Sequence, residues 1–296
     1  MSGVRTFAVD HASFPAKADH RISVCIPCRN EAATIGSIVA QIVSALMTGD
    51  APLVDELLVF DDRSTDATAA VAAAAGATVI VASDVLPGRG LGTGKGNVLW
   101  KSVAASTGNV IVWCDGDLLS FTPDYVRRLV APFLADPTVM FVKGFYERLL
   151  DVNGEGGGRN TELVARPLLT LLFPELAAVL QPLSGEYAAR RSVLEQVPFA
   201  QGYGVEVGLL IDVLQRCGAD AIAQVDLGVR RHRHRPLKEL SPQAGEIMHA
   251  ILRRIPGTAA LLADSISLNV SGRGFVELEI GERPPLSTVD GYRPSR

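Results

Sequence analysis

Asn109-Val110-Ile111-Val112-Trp113-Cys114-Asp115-Gly116-Asp117 is the stretch that decides how this chain reads. Its apolar run, mostly β-branched and without helical spacing, predicts a strand buried on both faces. The run ends on two carboxylates separated by one glycine. Working outward, the same pattern recurs. Residues 22–27, 57–60, 78–81 and 139–142 read as further strands, and 57–60 runs straight into Asp61-Asp62-Arg63-Ser64-Thr65-Asp66. Between them lie helical patterns. Ile35, Ile38, Val39, Ile42, Val43 and Leu46 share one face, on a helix expected to open at Asn30 and Glu31. An Ala-rich helix is expected to stop at Gly76. A short helix follows the Gly-rich stretch 87–96, and another is expected at Thr122-Pro123-Asp124, with Thr122 as the capping hydroxyl.

Strands alternating with helices imply βαβ units and a mostly parallel sheet. Ligands of such sheets bind beyond the carboxyl ends of the strands. The acids Asp61, Asp62, Asp115 and Asp117 all fall at those ends.

The second half is less regular. Residues 151–160 are Gly-rich, 161–180 read as helical with bends at Pro167 and Pro174, 205–217 as a buried helix, and 221–225 as a strand. Arg230 to Arg235 alternate Arg and His. Beyond about residue 256 the signals weaken. Four segments result: an N-terminal extension (1–20), a regular strand–helix half (21–150), a less regular half (151–256) and a C-terminal tail (257–296).

The apolar fraction of 48% and charged fraction of 20% suit a sizeable core and argue against disorder. A net charge of −4 gives no general pull toward nucleic acid or an anionic membrane. The Ala-rich stretch 67–83 falls short of a membrane span. Residues 1–20 carry Asp10 and Asp19 and no apolar block, unlike a signal peptide. A cytoplasmic protein is the expectation. Cys25 and Cys28 have redox spacing, but Cys25 lies inside a strand pattern, and buried thiols are the simpler reading.

Asp115 and Asp117 can both reach one hard cation, Mg²⁺ or Mn²⁺, of the kind that bridges carboxylates to substrate phosphates. A solvated acidic turn is the plain alternative, and the strand-end position argues against it. The 87–96 stretch is not a Walker loop, because Arg89 stands where a glycine is required and Gly96 where Ser or Thr is required. The first strand leads into Pro27-Cys28-Arg29-Asn30, so the dinucleotide glycine turn is absent too. Lys95, between Gly94 and Gly96 at a helix start, is placed to reach a phosphate; otherwise it is a surface lysine. His232 could complete a metal site or sit in a solvated basic run. Arg159, before a helix, offers a forked donor for an anion, while Asn160 or Thr161 could simply cap that helix.

Together, Pro27-Cys28-Arg29-Asn30-Glu31, the Asp61 to Asp66 segment and Asp115-Gly116-Asp117 resemble the GT-A nucleotide-sugar glycosyltransferases. Gly94-Lys95-Gly96, Gly158-Arg159-x-Thr161-Glu162-Leu163, Pro182-Leu183-Ser184-Gly185-Glu186, Gly202-Tyr203-Gly204-Val205-Glu206 and His232 narrow the likeness to the retaining glucosyl-3-phosphoglycerate synthase family, over about residues 20 to 255. That resemblance implies a GT-A (Rossmann-like) α/β fold: a mostly parallel sheet flanked by helices, with a smaller acceptor-binding half. It implies that Pro27, Asn30 and Glu31 line a uridine pocket, with Asp61 and Ser64 nearby, and that Lys95 contacts the nucleotide. It implies that Asp117 and His232 bind Mg²⁺ or Mn²⁺ with Asp115 in support, that Leu183 and Glu206 lie by the donor sugar, and that Gly158, Arg159 and Thr161 bind the acceptor. Asp117, Glu206 and Leu183 are the implied catalytic set.

The implied reaction moves glucose from UDP-glucose to the 2-hydroxyl of 3-phosphoglycerate, in a homodimer. The alternatives are a GDP-mannose-dependent mannosyl-3-phosphoglycerate synthase and a non-catalytic nucleotide-binding module.

Overall fold

A computed structural model describes residues 3–9, 14–148, 158–230 and 237–293. The strands are β1 (Arg5–Phe7), β2 (Ile22–Cys28), β3 (Glu56–Asp61), β4 (Thr78–Val81), β5 (Val110–Trp113), β6 (Phe141–Arg148), β7 (Tyr187–Arg190), β8 (Phe199–Ala200), β9 (Ile222–Arg230), β10 (Ser265–Val270), β11 (Gly274–Glu279) and β12 (Glu282–Arg283). The helices are α1 (Ile35–Leu46), α2 (Thr68–Ala74), α3 (Gly94–Ala105), α4 (Asp124–Ala135), α5 (Arg166–Leu172), α6 (Arg191–Leu194), α7 (Val205–Cys217) and α8 (Leu237–Arg253).

Eight strands form one sheet in the order β1-β9-β6-β7-β5-β2-β3-β4. All pairings are parallel except the two made by β7. The central strands are apolar on both faces because both faces are covered. Successive residues alternate sides: Val24, Ile26, Val110 and Val112 pack with α1 and α4, while Cys25, Ile111 and Trp113 pack with α3 and α7. The α1 stripe of Ile35, Ile38, Val39, Ile42 and Leu46 is buried, each side chain worth roughly 1.5–3 kcal/mol.

The boundaries differ from expectation in places with clear causes. Asn30 and Glu31 do not open α1, because Asn30 sits in the left-handed region (φ 60) and the helix waits until Ile35. Thr122 makes no side-chain cap; its carbonyl, not its hydroxyl, accepts from the Tyr125 N–H (3.0 Å). The 161–180 stretch is not one bent helix. It is a π-helical turn (Thr161–Ala165), then α5 with Pro167 in its first turn, then a 3₁₀ turn at Pro174–Leu176. No side chain caps the π turn, so the capping role weighed for Asn160 and Thr161 does not hold; Asn160 Nδ2 instead donates to Leu240 O (3.4 Å).

The tail has more order than its sequence promised. β10 and β11 form a hairpin, and β12 pairs antiparallel with β8. Cys25, Cys28 and Cys114 are buried free thiols. Burial pushes Cys25 up to about 12 and raises Cys28 as well, which makes both poor nucleophiles.

Candidate active site

Parallel strands point their carboxyl ends to one edge of the sheet, and antiparallel β7 brings its amino end to the same edge. The loops after β2, β3 and β5, the last residue of β9 and the turn before β7 therefore meet. A cleft of about 450 Å³ opens there, lined by Pro27, Cys28, Arg29, Glu31, Asp62, Gly94, Lys95, Val98, Asp115, Gly116, Asp117 and Tyr203.

One wall is the turn after β2, laced to the loop after β3. The Asn30 N–H donates to Ser64 Oγ (3.0 Å), Asn30 Oδ1 accepts from the Thr65 N–H (2.8 Å), and the Glu31 N–H donates to Thr68 Oγ1 (2.8 Å). An asparagine tolerates the left-handed backbone that this lacing needs. Asp61 Oδ2 accepts from the Ser64 N–H (3.4 Å), while Asp61 Oδ1 is buried with no hydrogen-bond partner among the described residues. A buried acceptor in that state suits a ligand N–H or O–H.

The floor is ionic. Lys95, at the start of α3, reaches Asp115 Oδ1 (2.6 Å) and Glu206 Oε1 (2.8 Å) at the start of α7. Arg230, the last residue of β9, donates to both oxygens of Glu186 (2.9 and 2.7 Å), to Asp115 Oδ2 (3.3 Å) and to the Tyr146 hydroxyl (2.8 Å), and lies 3.8 Å from Asp117 Oδ1. Burial works against the charges of Lys95 and Arg230, but their carboxylate neighbours outweigh it and raise both pKa values well above normal. Burial would likewise raise Asp115; Lys95 and Arg230 more than offset it and hold the carboxyl below its usual range. Glu186, fully buried, is lifted by burial to about 6 even against Arg230.

Two glycines permit this crowding. A Cβ on Gly185 would strike the Asp115 carboxylate, and one on Gly96 would overlap Ala200 O.

Beneath the floor, Lys143 is 1% exposed. Its Nζ donates to Ser184 O (2.7 Å) and lies 4.3 Å from the Tyr187 ring centroid. Burial lowers its pKa to about 7, with Glu206 opposing the shift.

The structure thus gathers Pro27, Glu31, Lys95, Asp115 and Asp117 around one cleft. Glu206 joins through Lys95, and Asn30, Asp61 and Ser64 join through the laced wall. Leu183 is half-buried against the core next to this floor. Gly158, Arg159 and Thr161 are not in the cleft lining; they sit on the helical segment tied to α8 through Asn160. His232 lies outside the described residues. Glu186, Lys143, Tyr146 and Arg230 were not foreseen as site residues. Glu186 closes the Pro182–Glu186 motif and Arg230 opens the basic run, and these are the signals the sequence held for them.

Asp117 offers a hard oxygen donor of the kind a divalent cation takes. Asp117 keeps 48% of its side chain exposed at the cleft, against 23% for Asp115. Among the described residues no group of three His, Cys, Asp or Glu side chains could hold a metal, so the fit rests on Asp117 with a ligand from elsewhere.

Comparison with known proteins follows the same line. The family model "Glycosyl transferase family 2" matches residues 23–197. A glucosyl-3-phosphoglycerate synthase of Mycobacterium tuberculosis is 51% identical over 93% of this chain and 87% of its own. A crystal structure of glucosyl-3-phosphoglycerate synthase from that organism, in complex with Mn²⁺, uridine-diphosphate-glucose and phosphoglyceric acid, superposes with a TM-score of 0.84 at 43% identity, over 96% of this chain and 98% of that one. Another, with Mn²⁺, uridine-diphosphate and glucosyl-3-phosphoglycerate, gives 0.80 at 42% identity over 96% and 98%.

Proposed function

The chain belongs to glycosyl transferase family 2 and, within it, to the glucosyl-3-phosphoglycerate synthases, and from that premise we propose that it transfers glucose from UDP-glucose to the 2-hydroxyl of 3-phosphoglycerate, with retention of configuration. The observation that carries this reading is the exposed Asp117 carboxylate at the tip of β5, beside the Asp115–Lys95–Glu206 ion chain, in a cleft of nucleotide size. A GDP-mannose donor is the weaker reading, because the relatives over nearly the whole chain are glucosyl enzymes.

Asp117 and His232 would hold Mg²⁺ or Mn²⁺, with Asp115 behind them. The ion, when bound, supplies Lewis-acid charge at the diphosphate. The laced turn of Pro27, Asn30 and Glu31, with Asp61 and Ser64, takes the uridine, and the orphan Asp61 Oδ1 offers it an acceptor. Lys95 presents a permanent positive charge toward the phosphates. Glu206 is already paired with Lys95, which suits it to accept sugar hydroxyls and makes it a poor nucleophile. Substitution on the donor's own face then needs no enzyme nucleophile, the departing diphosphate taking the acceptor's proton. Leu183, in the turn beside Glu186, shapes the sugar pocket. Gly158, Arg159 and Thr161 hold the acceptor's phosphate, the role for which a forked guanidinium is suited.

Labour divides between residues 21–150, which take the nucleotide of the donor, and 151–256, which take the acceptor, complete the metal site and contact the donor sugar. The proposed assembly is a homodimer, supported by Leu163 and Leu171, which are 72% and 77% exposed on one helical segment; light scattering at the monomer mass would reject that part. Among the described residues no helix is long and apolar enough to cross a membrane, and a cytoplasmic site of action follows from its phosphorylated substrates.

The test is nucleoside diphosphate release across UDP- and GDP-sugars, with and without 3-phosphoglycerate. Release from UDP-glucose that depends on 3-phosphoglycerate is expected. Equal release without acceptor, or preference for GDP-mannose, contradicts the reading.

A further inference from the structure

The stretch leading to Lys95 is poorly suited to hold itself in place. Gly90, Gly92 and Gly94 all adopt positive φ (76, 66 and 72), and glycine backbones lose the most freedom on ordering. Leu86 is left-handed as well (φ 49). Residues 87–93 form one 3₁₀ turn and otherwise no regular structure. Something outside the stretch has to fix it.

That support comes from the far end of the sequence. The Arg283 guanidinium spends its fork on this stretch. Nη1 donates to Arg89 O (2.6 Å), Nη2 to Gly90 O (3.3 Å) and Nε to Asn97 Oδ1 (2.8 Å). Its carbon lies 5.5 Å from the Trp100 ring centroid. Asn97, itself buried, passes the constraint on by donating Nδ2 to Leu91 O (2.9 Å). The fit leaves no room, since a Cβ on Gly92 would strike both Arg283 and Asn97.

Arg283 is held in turn. β12 pairs with β8, the Trp100 indole N–H donates to Pro284 O (2.7 Å), and Glu282 accepts from Arg254 (2.9 Å). The same junction seats the start of α3: the Gly281 carbonyl accepts from the Gln201 N–H, and the Gln201 carbonyl from the Asn97 N–H (3.1 Å each).

We propose that Arg283 is a positioning residue for donor binding: the C-terminal segment uses its guanidinium to fix residues 89–92 and thereby set Gly94 and Lys95 in the cleft. A charged fork on three oxygens is suited to this, because each bond is charge-assisted and the planar group stacks on an indole. The inference rests on the reading of the cleft as a UDP-sugar site with Lys95 toward the phosphates.

The experiment is calorimetric titration of UDP with Mn²⁺ into the full-length wild type, Arg283→Met and Arg283→Lys, with 3-phosphoglycerate titrated separately. Wild-type affinity for UDP tests the cleft reading itself, and its failure would be seen there. Given wild-type binding, Arg283→Met is expected to weaken UDP roughly 10- to 100-fold, the range of one or two charge-assisted hydrogen bonds. Arg283→Lys, which keeps charge without the fork, should fall between, and 3-phosphoglycerate affinity should stay within about twofold. Hydrogen exchange at amides 88–93 should quicken in both variants while the sheet stays protected. UDP affinity within twofold of wild type in a folded variant overturns the proposal, as does equal weakening of both ligands. If Arg283→Met does not fold, Arg283→Lys decides alone, on the same two readouts.

Discussion

The two sides of this molecule that we assign to donor and acceptor are built by different means. On the donor side, charge does the work. Lys95, Asp115, Glu206, Arg230 and Glu186 form a chain of ion pairs at the strand ends, so side chains far apart in sequence are locked before any substrate arrives. On the acceptor side, Gly158, Arg159 and Thr161 open a π-helical turn shaped by its backbone bonds, with the Glu162–Arg166 ion pair on its outer face and a hydrogen bond from Asn160 to α8. π turns are rare and strained, and they concentrate at functional sites. A preorganised ionic floor should fail abruptly when one charge is removed. A backbone-shaped site should fail selectively, one ligand at a time.

The sharpest way to break this contrast is at Asp117. Asp117→Ala is expected to lower the rate of glucose transfer about 100- to 1000-fold, as losing a preorganised electrostatic group does, with melting temperature nearly kept because the residue is half exposed. A steady-state assay with UDP-glucose and Mn²⁺ checks it, and near-normal turnover would remove Asp117 from the donor side.

The next effect concerns how α7, whose first turn carries Glu206, is held to the end of α8. Asp212 on α7, the helix that begins beside Glu206, is 2.6 Å from Arg254. Burial raises its pKa to about 6, with Arg254 opposing. A carboxyl with a folded pKa above its unfolded value contributes stability that is present below about pH 4 and lost as pH rises through about 6. Wild type should therefore lose about 3 kcal/mol relative to Asp212→Asn across that window, measured by denaturant unfolding from pH 4 to 7. A flat difference would show that Asp212 titrates normally.

Arg159 tests the selective side. Arg159→Ala should raise the KM for 3-phosphoglycerate roughly 10- to 100-fold, the value of a charge-assisted contact, and leave the KM for UDP-glucose unchanged. Parallel loss for both substrates would mean the two sides are not separable.

The smallest expected effect is at Leu163, exposed on the same turn. Leu163→Ser should change unfolding free energy by no more than about 0.5 kcal/mol while weakening self-association in sedimentation. An unchanged sedimentation profile would place the dimer contact elsewhere.

The donor side was legible in the sequence because its signals are local. A buried apolar run such as 110–114 has to be a strand, and the acids after it have to be at the sheet's edge. Cys25 was readable as a core thiol for the same reason. The ionic partners were not legible, because partnership is a property of the sheet order. β7 has four residues, Tyr-Ala-Ala-Arg, with no alternation to mark it, yet inserting it antiparallel between β5 and β6 is what brings Glu186 to Arg230. Lys143 falls just past the strand expected at 139–142, and nothing local told of its burial under Ser184 and Tyr187. β1, three residues long, exists only because β9 offers it an edge. Arg283 sat in a stretch where the signals had faded, and only the pairing of β12 with β8 gives it a purpose. The start of α1 was misplaced because Asn30 reads as a helix opener, whereas its left-handed backbone serves the wall of the cleft.

The central claim is that the cleft at the tip of β5 binds a nucleoside diphosphate through a cation held by Asp117. Titrating UDP into wild type and Asp117→Asn, each with and without Mn²⁺, addresses it most directly. The account predicts that Mn²⁺ tightens UDP binding at least about tenfold in wild type and has little effect in Asp117→Asn. Equal metal enhancement in both proteins, or none in either, would contradict it.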